Sequence, residues 1–385
     1  MSTPARLTTQ RRSGTVGRTE RKARQRAATR LHHAREAESH LRSRRARRNA
    51  TITSIITITA VVAAVIVVVA GSLAGVGGGV GADGGAGQAA GPASRVALTT
   101  LTRQPAVSAV AYGQGSAWLT DDVNDTLVRL DPATGRSVGP ALPLPGRPAA
   151  VTTTPGRVWV ASMVTDTVEE VSDTGALAGP ILHDVPVPGG PVGLATGYGL
   201  VWVASVIAGD VTAVDPATGR VEASAHLPGG AVRVATGDGG VWVTGSTDTL
   251  AEINPHPVSG RLRWRTFTVG QVPIGVVAGD HAVWVADAGS GTVSELDPVT
   301  GQVEATYRSG PDPVAVALVA GAGHGTVVVA DGREDDVRAV GTGAGPGGVG
   351  PAARLGGTPR QLMTVGGAVW AAVGNPGEVV IVRSG

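Results

Sequence analysis

The sequence predicts an all-β, seven-bladed β-propeller, preceded by one transmembrane helix and a basic tail. Three observations carry this. Tryptophan recurs at Trp118, Trp159, Trp202, Trp242, Trp284 and Trp370, with Val328 in the remaining register, at steps of 41, 43, 40, 42, 44 and 42 residues. Each period holds four short runs of alternating apolar residues separated by Gly-rich turns, the pattern of half-buried antiparallel strands. Seven copies at this period make one sheet per blade around a central channel.

The chain is divided 1–49, 50–71, 72–94 and 95–385. Residues 1–48 carry 15 of the 32 Lys and Arg and only three acids, Glu20, Glu36 and Glu38, which leaves the remainder negative by ten. A charge split of this size points to two compartments or two partners. The tail lacks an apolar stripe long enough to fold alone. It reads as a cytoplasmic topogenic segment, with a binder of anionic lipid as the weaker reading and of nucleic acid as the weakest.

Ala50–Gly71 (ATITSIITITAVVAAVIVVVAG) contains no charge. At about 1.5 Å per residue it crosses a hydrocarbon layer of roughly 30 Å. Arg44, Arg45, Arg47 and Arg48 flank its start, and nothing basic follows until Arg95. The positive-inside rule therefore places the N-terminus in the cytoplasm and the bulk outside, as a single-pass membrane protein. A cleaved signal peptide competes, with small-residue sites at Val68-Val69-Ala70 and Ser72-Leu73-Ala74. The apolar run exceeds the ~7–15 residues of a signal core, which favours the anchor. Residues 72–94 are a Gly-rich linker that buries nothing. The chain has no Cys, so disulfides, a lipoprotein anchor cysteine and thiol chemistry are excluded.

From Arg95 the strands begin one out of order. Arg95–Thr102 resembles a fourth strand, while the seventh unit stops after its third, Val379–Val382. The first strand is expected to complete the last blade and close the ring. Within the units, Asp131-Pro132-Ala133-Thr134-Gly135, Asp215-Pro216-Ala217-Thr218-Gly219 and Asp297-Pro298-Val299-Thr300-Gly301 repeat one turn between strands three and four. Asp caps it, Pro presets φ and Gly supplies φ > 0. The sixth unit is the weakest, without the Trp and with a Gly-rich run at 341–350.

The unit P-x-x-[VL]-A-x-G-x-x-x-V-W-V-A…T-V-x-x-[LV]-D-P-x-T-G-[RQ]-V resembles the YVTN-type repeat propellers and the repeats of streptogramin B lyases, over about residues 95–385. The lyase resemblance implies His and Glu around a magnesium ion on one face, with repeats reading W-F-T-E. Here the third residue after each Trp, or after Val328, is Asp121, Ser162, Ser205, Gly245, Asp287, Asp331 and Val373. None is Glu. His256, His281 and His324 fall in turns of the opposite face, and His183 and His226 in or near outer strands. No His is placed at the channel mouth to move a proton. The resemblance thus supports the fold and argues against lyase chemistry.

The repeated Trp reads as inter-blade packing rather than a ligand platform. Trp264 breaks the register and reads as part of a charged edge strand, with a partner-binding aromatic as the minority reading. At the third residue of each unit stand Val107, Ala150, Gly193, Arg233, Gly275, Ala315 and Gln361. The ligand-binding candidates are therefore Arg233 and Gln361, with Asp121, Asp287 and Asp331 on the same face. No catalytic residue and no cofactor are identified; the acidic turns would accommodate a divalent cation or dock a basic partner. The leading expectation is a membrane-anchored extracytoplasmic module that binds a protein, peptide or glycan without catalysis. The alternative is a divalent-metal-dependent extracytoplasmic lyase or hydrolase.

Overall fold

The described residues form seven four-stranded antiparallel sheets. The structure is a computed structural model that describes residues 96–384, apart from 105, 145, 174–180, 320–325, 342–347 and 376. The basic tail, the apolar run and the linker lie outside the described residues, as does His324. Among the described residues no helix is long and apolar enough to cross a membrane.

We number the blades in chain order. Blades 1 to 6 each take four consecutive strands. Blade 3 is representative, with Pro191–Gly197, Leu200–Ser205, Asp210–Asp215 and Arg220–His226. The first strands of the seven blades touch one another in an unbroken circle, so they are the innermost layer. Blade 7 takes Thr358–Val365, Ala368–Asn375 and Gly377–Ser384 from the C-terminal end, and Val96–Arg103 from the N-terminal end. Val96–Arg103 pairs antiparallel with Gly377–Ser384, Leu98 opposite Val382 and Arg103 opposite Glu378.

The core is divided into seven parts, one between each pair of neighbouring blades. Trp202 of blade 3 packs with Val234, Val241 and Val243 of blade 4. Trp242 packs likewise against Val283 and Val285, Trp284 against Val327 and Val329, and Trp370 against Ala117 and Leu119. Val328 takes the same place against Val369 and Ala371. All six repeat tryptophans are buried. A large flat side chain at this register spans the wedge between adjacent sheets, which fixes the period in the sequence. Val328 fills the wedge with less volume. The outer strand is two residues long in blade 6, Ala353–Arg354, and equally in blade 1, Leu142–Pro143.

The Asp-Pro-x-Thr-Gly turns are built as their chemistry requires. Asp131 Oδ1 accepts from the Ala133 and Thr134 amides, and Asp297 Oδ1 from Val299 and Thr300. Gly135, Gly219 and Gly301 all have φ between 65° and 71°. These amide bonds hold the carboxyls of Asp215 and Asp297 below their ordinary range.

Trp264 is 38% exposed on the outer strand of blade 4, Trp264–Thr268, beside an ion pair of Arg265 with Glu252. Arg265 also lies over the Phe267 ring at 4.9 Å. Charge on this edge disfavours pairing with a further strand.

Candidate functional site: the channel mouth

Each inner strand starts at the face that carries the turns between strands two and three. Register shows this directly: Arg233 stands opposite Thr244, and Pro273 opposite Asp287 at the end of strand two. In five blades the inner strand opens with a β-bulge, between Pro148 and Ala150, Pro191 and Gly193, Pro273 and Gly275, Pro313 and Ala315, and Pro359 and Gln361. A bulge inserts one residue into the strand and re-aims its side chain.

The residues after these bulges, with Arg233 and Ala109, meet at a central cavity of about 90 Å3. Equivalence by strand pairing gives Ala109, Ala150, Gly193, Arg233, Gly275, Ala315 and Gln361. Val107 does not belong to this set. It is buried in the core between blades 7 and 1, because blade 1 holds two further residues before its inner strand. Counting back nine residues from the Trp identifies the position in all six Trp-bearing blades, with Ala109 in blade 1, while in blade 6 Ala315 stands thirteen residues before Val328. The small residues answer to packing as well as to access. A Cβ on Gly275 would lie 2.9 Å from the Ala315 Cα, and one on Gly193 3.1 Å from the Val232 carbonyl oxygen.

Two cations line this cavity. Arg233 is half-buried, and its Nη1 donates to the Val192 and Val232 carbonyl oxygens at 3.3 and 3.4 Å. Arg360, the bulged residue of blade 7, lines the same space. Its side chain runs over Gly374, where a Cβ would come within 2.5 Å of Nε. Burial, then the Arg360 charge, push the Arg233 guanidinium below its ordinary value. No Asp or Glu lines the cavity, and neither arginine has a carboxylate partner among the described residues. Arg360 was missed by the sequence reading, although a single cation among small and apolar residues at equivalent positions had already marked Arg233.

Gln361 reaches the cavity but is committed elsewhere. Its Oε1 accepts from the Val110 amide at 2.9 Å, which joins the inner strands of blades 7 and 1. The three candidate acids stay out of the cavity lining and turn inward. Asp121 accepts from the Val123 and Asn124 amides and from the Asn124 side chain. Asp331 accepts from the amides of Arg333, Glu334 and Asp312. Asp287 is fully buried and accepts from Ser294 Oγ at 2.6 Å. Burial raises its carboxyl to about 6, against hydrogen bonds that lower it, from Ser294, the Gly270 amide and Thr292. The structure thus brings Arg233 and Gln361 together and leaves Asp121, Asp287 and Asp331 as turn-forming groups.

Beside the mouth, the tips of three consecutive turns carry apolar side chains: Val123, Val164 and Ile207, 75%, 54% and 42% exposed. The equivalent residues of blades 4 to 7 are Thr247, Gly289, Arg333 and Asn375. One side of the face is therefore apolar and the other polar. The described histidines are elsewhere. His183 bonds Glu170 and His226 bonds Asp210 through outer strands, while His256 lies in the turn between strands three and four of blade 4. Among the described residues no group of three or more metal-ligating side chains converges.

No family model matches the sequence, and no curated protein matches it. The fold is nonetheless shared with solved structures. A streptogramin B lyase is similar over 75% of this chain and 98% of its own, with a TM-score of 0.63 and 14% identity. U3-55K is similar at a TM-score of 0.61, over 74% of this chain and 98% of its own, with 10% identity. The Kuenenia stuttgartiensis hydrazine synthase reaches 0.58, over 73% and 96%, with 14% identity. These likenesses establish a seven-bladed propeller architecture, and a fold of this kind does not fix an activity.

Proposed function

We propose that this chain is a membrane-anchored, extracytoplasmic binding propeller that recognises its ligand at the channel mouth without chemistry of its own. The observation that carries this reading is the composition of the cavity: two arginines and Gln361 among small and apolar residues. Such a lining supplies binding and orientation but no side chain suited to general acid–base work near neutral pH. The uncharged run at Ala50–Gly71 and its basic flank support the anchor, with the N-terminus inside. The strand Val96–Arg103 acts as the latch of the ring, and the linker 72–94 lets the ring reach a protein, peptide or glycan. Anionic lipid is the partner of the basic tail.

Asp287 favours a second reading, a divalent-metal-dependent lyase or hydrolase, because a buried carboxyl with a pKa of about 6 is a known habit of active sites. Metal analysis of the purified full chain separates the two. The binding reading expects less than one ion in ten molecules after dialysis. One tightly held divalent ion per chain, lost in Asp287→Ala, would favour the enzyme.

A further inference from the structure

We propose that the channel mouth is an oxyanion site, in which Arg233 and Arg360 together take one carboxylate or phosphate group of a small ligand. The inference deepens the binding reading above and rests on the same face being the working surface.

The geometry is unusual for a merely structural pair. Two like charges share one cavity, and neither is neutralised by a carboxylate among the described residues. Arg233 is half-buried and Arg360 exposed, and an arginine drawn inside seldom lacks a partner. Among the described residues Arg233 makes two long bonds, both from Nη1 to backbone carbonyls, which leave Nε and Nη2 to a ligand. An oxyanion placed between the guanidiniums would relieve their repulsion and accept from both by charge-assisted bonds. Removing either charge would weaken it, because each is needed for the other's compensation.

Size narrows the ligand. A water needs about 10–15 Å3 of such space, so about 90 Å3 holds a handful of waters or one small acidic group. A bulky ligand would place only its acidic end here. The apolar tips Val123, Val164 and Ile207 lie on the same face, where the rest of such a ligand would rest. The Arg360 side chain passes over Gly374, where a Cβ would crowd it and shift the guanidinium. That glycine is thereby a positioning residue for the second cation.

The test uses the full chain in detergent, with chloride added to hold ionic strength constant, because screening alone alters exposed charges. Inorganic phosphate and succinate are titrated in separate arms, and the melting temperature is read. Saturable stabilisation by either anion is expected, phosphate alone marking a phosphoryl ligand and succinate alone a carboxylate one. Arg233→Met and Arg360→Met should each weaken the apparent affinity tenfold or more. Gly374→Ala should weaken it several-fold with both charges intact, and Arg265→Met, on the outer edge, should not change it. Without anion, Arg233→Met should melt no lower than the wild type, since one of two like charges is gone. No saturable shift with either anion, equal affinity in the Met variants, or a lower melting temperature for Arg233→Met without anion would overturn the site. Saturable anion binding alongside macromolecular ligand capture that survives Arg233→Glu would instead overturn the wider reading of this face and leave the anion site standing.

Discussion

Ser294 donates a 2.6 Å hydrogen bond to the Asp287 carboxyl, and both side chains are buried. Blade 2 makes the same contact with the roles exchanged: Ser162 ends strand two and donates at 2.8 Å to Glu169 on strand three. In each case one hydroxyl and one acid tie two strands beneath the turn. Burial raises both acids, Asp287 to about 6. These carboxyls hold sheets together, and their protonation belongs to stability before it belongs to catalysis.

A pH dependence of stability follows. The folded Asp287 carboxyl binds its proton more tightly than the unfolded one, whose value is near 3.8. Its contribution is fully present below about pH 4 and is lost as the pH rises through about 6. At 1.36 kcal/mol per pH unit, the difference amounts to at most about 3 kcal/mol. Asp287→Asn should flatten the fall in melting temperature between pH 4.5 and 7.5. A variant that keeps the wild-type slope would place its origin in other buried acids.

The architecture was legible because its signals are local and repeated. Trp at one register, in six units, and Asp-Pro-x-Thr-Gly at another, in three, each act within a single unit, so the copies reinforce the same assignment. The site was less legible. Asp121, Asp287 and Asp331 looked like a ligand-facing arc because polar turns are ordinarily solvated, but their amide and hydroxyl partners are two to nineteen residues away and turn them inward. Val107 was placed two residues out of register because the Pro-led count ignores the two additional residues in blade 1. Arg360 escaped because a strict alternation of inward and outward residues has no place for a bulge.

Gln361 offers a separate measure of how the ring holds its inner seam. Its Oε1 is the acceptor for the Val110 amide across the junction of blades 7 and 1. Gln361→Met keeps the volume and removes the acceptor, which leaves a backbone donor unpaired at a cost of about 1–3 kcal/mol. Thermal melting should show a drop of several degrees, and Gln361→Glu, which retains an acceptor, should recover most of it. Equal losses in the two variants would mean that the side chain acts by packing alone.

The proposed topology makes a cellular prediction. With Arg44, Arg45, Arg47 and Arg48 retained inside and the apolar run uncleaved, protease added to intact cells should remove the ring and leave a short membrane-held stub. Recovery of a soluble mature form beginning near Gly71 or Gly75 would show that the run is a signal peptide instead.

The latch is tested by where the chain is cut. Leu98 packs against the core between blades 6 and 7, and Leu101 against that between blades 7 and 1. The next residue beyond the strand is also engaged, since the Gln104 amide donates to the Gly377 carbonyl at 2.8 Å. Removing residues 1–94 leaves these contacts intact. Removing residues 1–104 strips cover from Val380 and Val382 and leaves the Gly377–Ser384 strand with an open hydrogen-bonding edge. A fully buried aliphatic side chain is worth ~1.5–3 kcal/mol, so the loss is expected to reach several kcal/mol. The longer truncation should therefore melt well below the shorter one and associate through its new edge, which light scattering would register. Two truncations with the same melting temperature and the same monomeric state would show that the ring closes without this strand. The pairing of Leu98 with Val382 would then contribute contact but no stability.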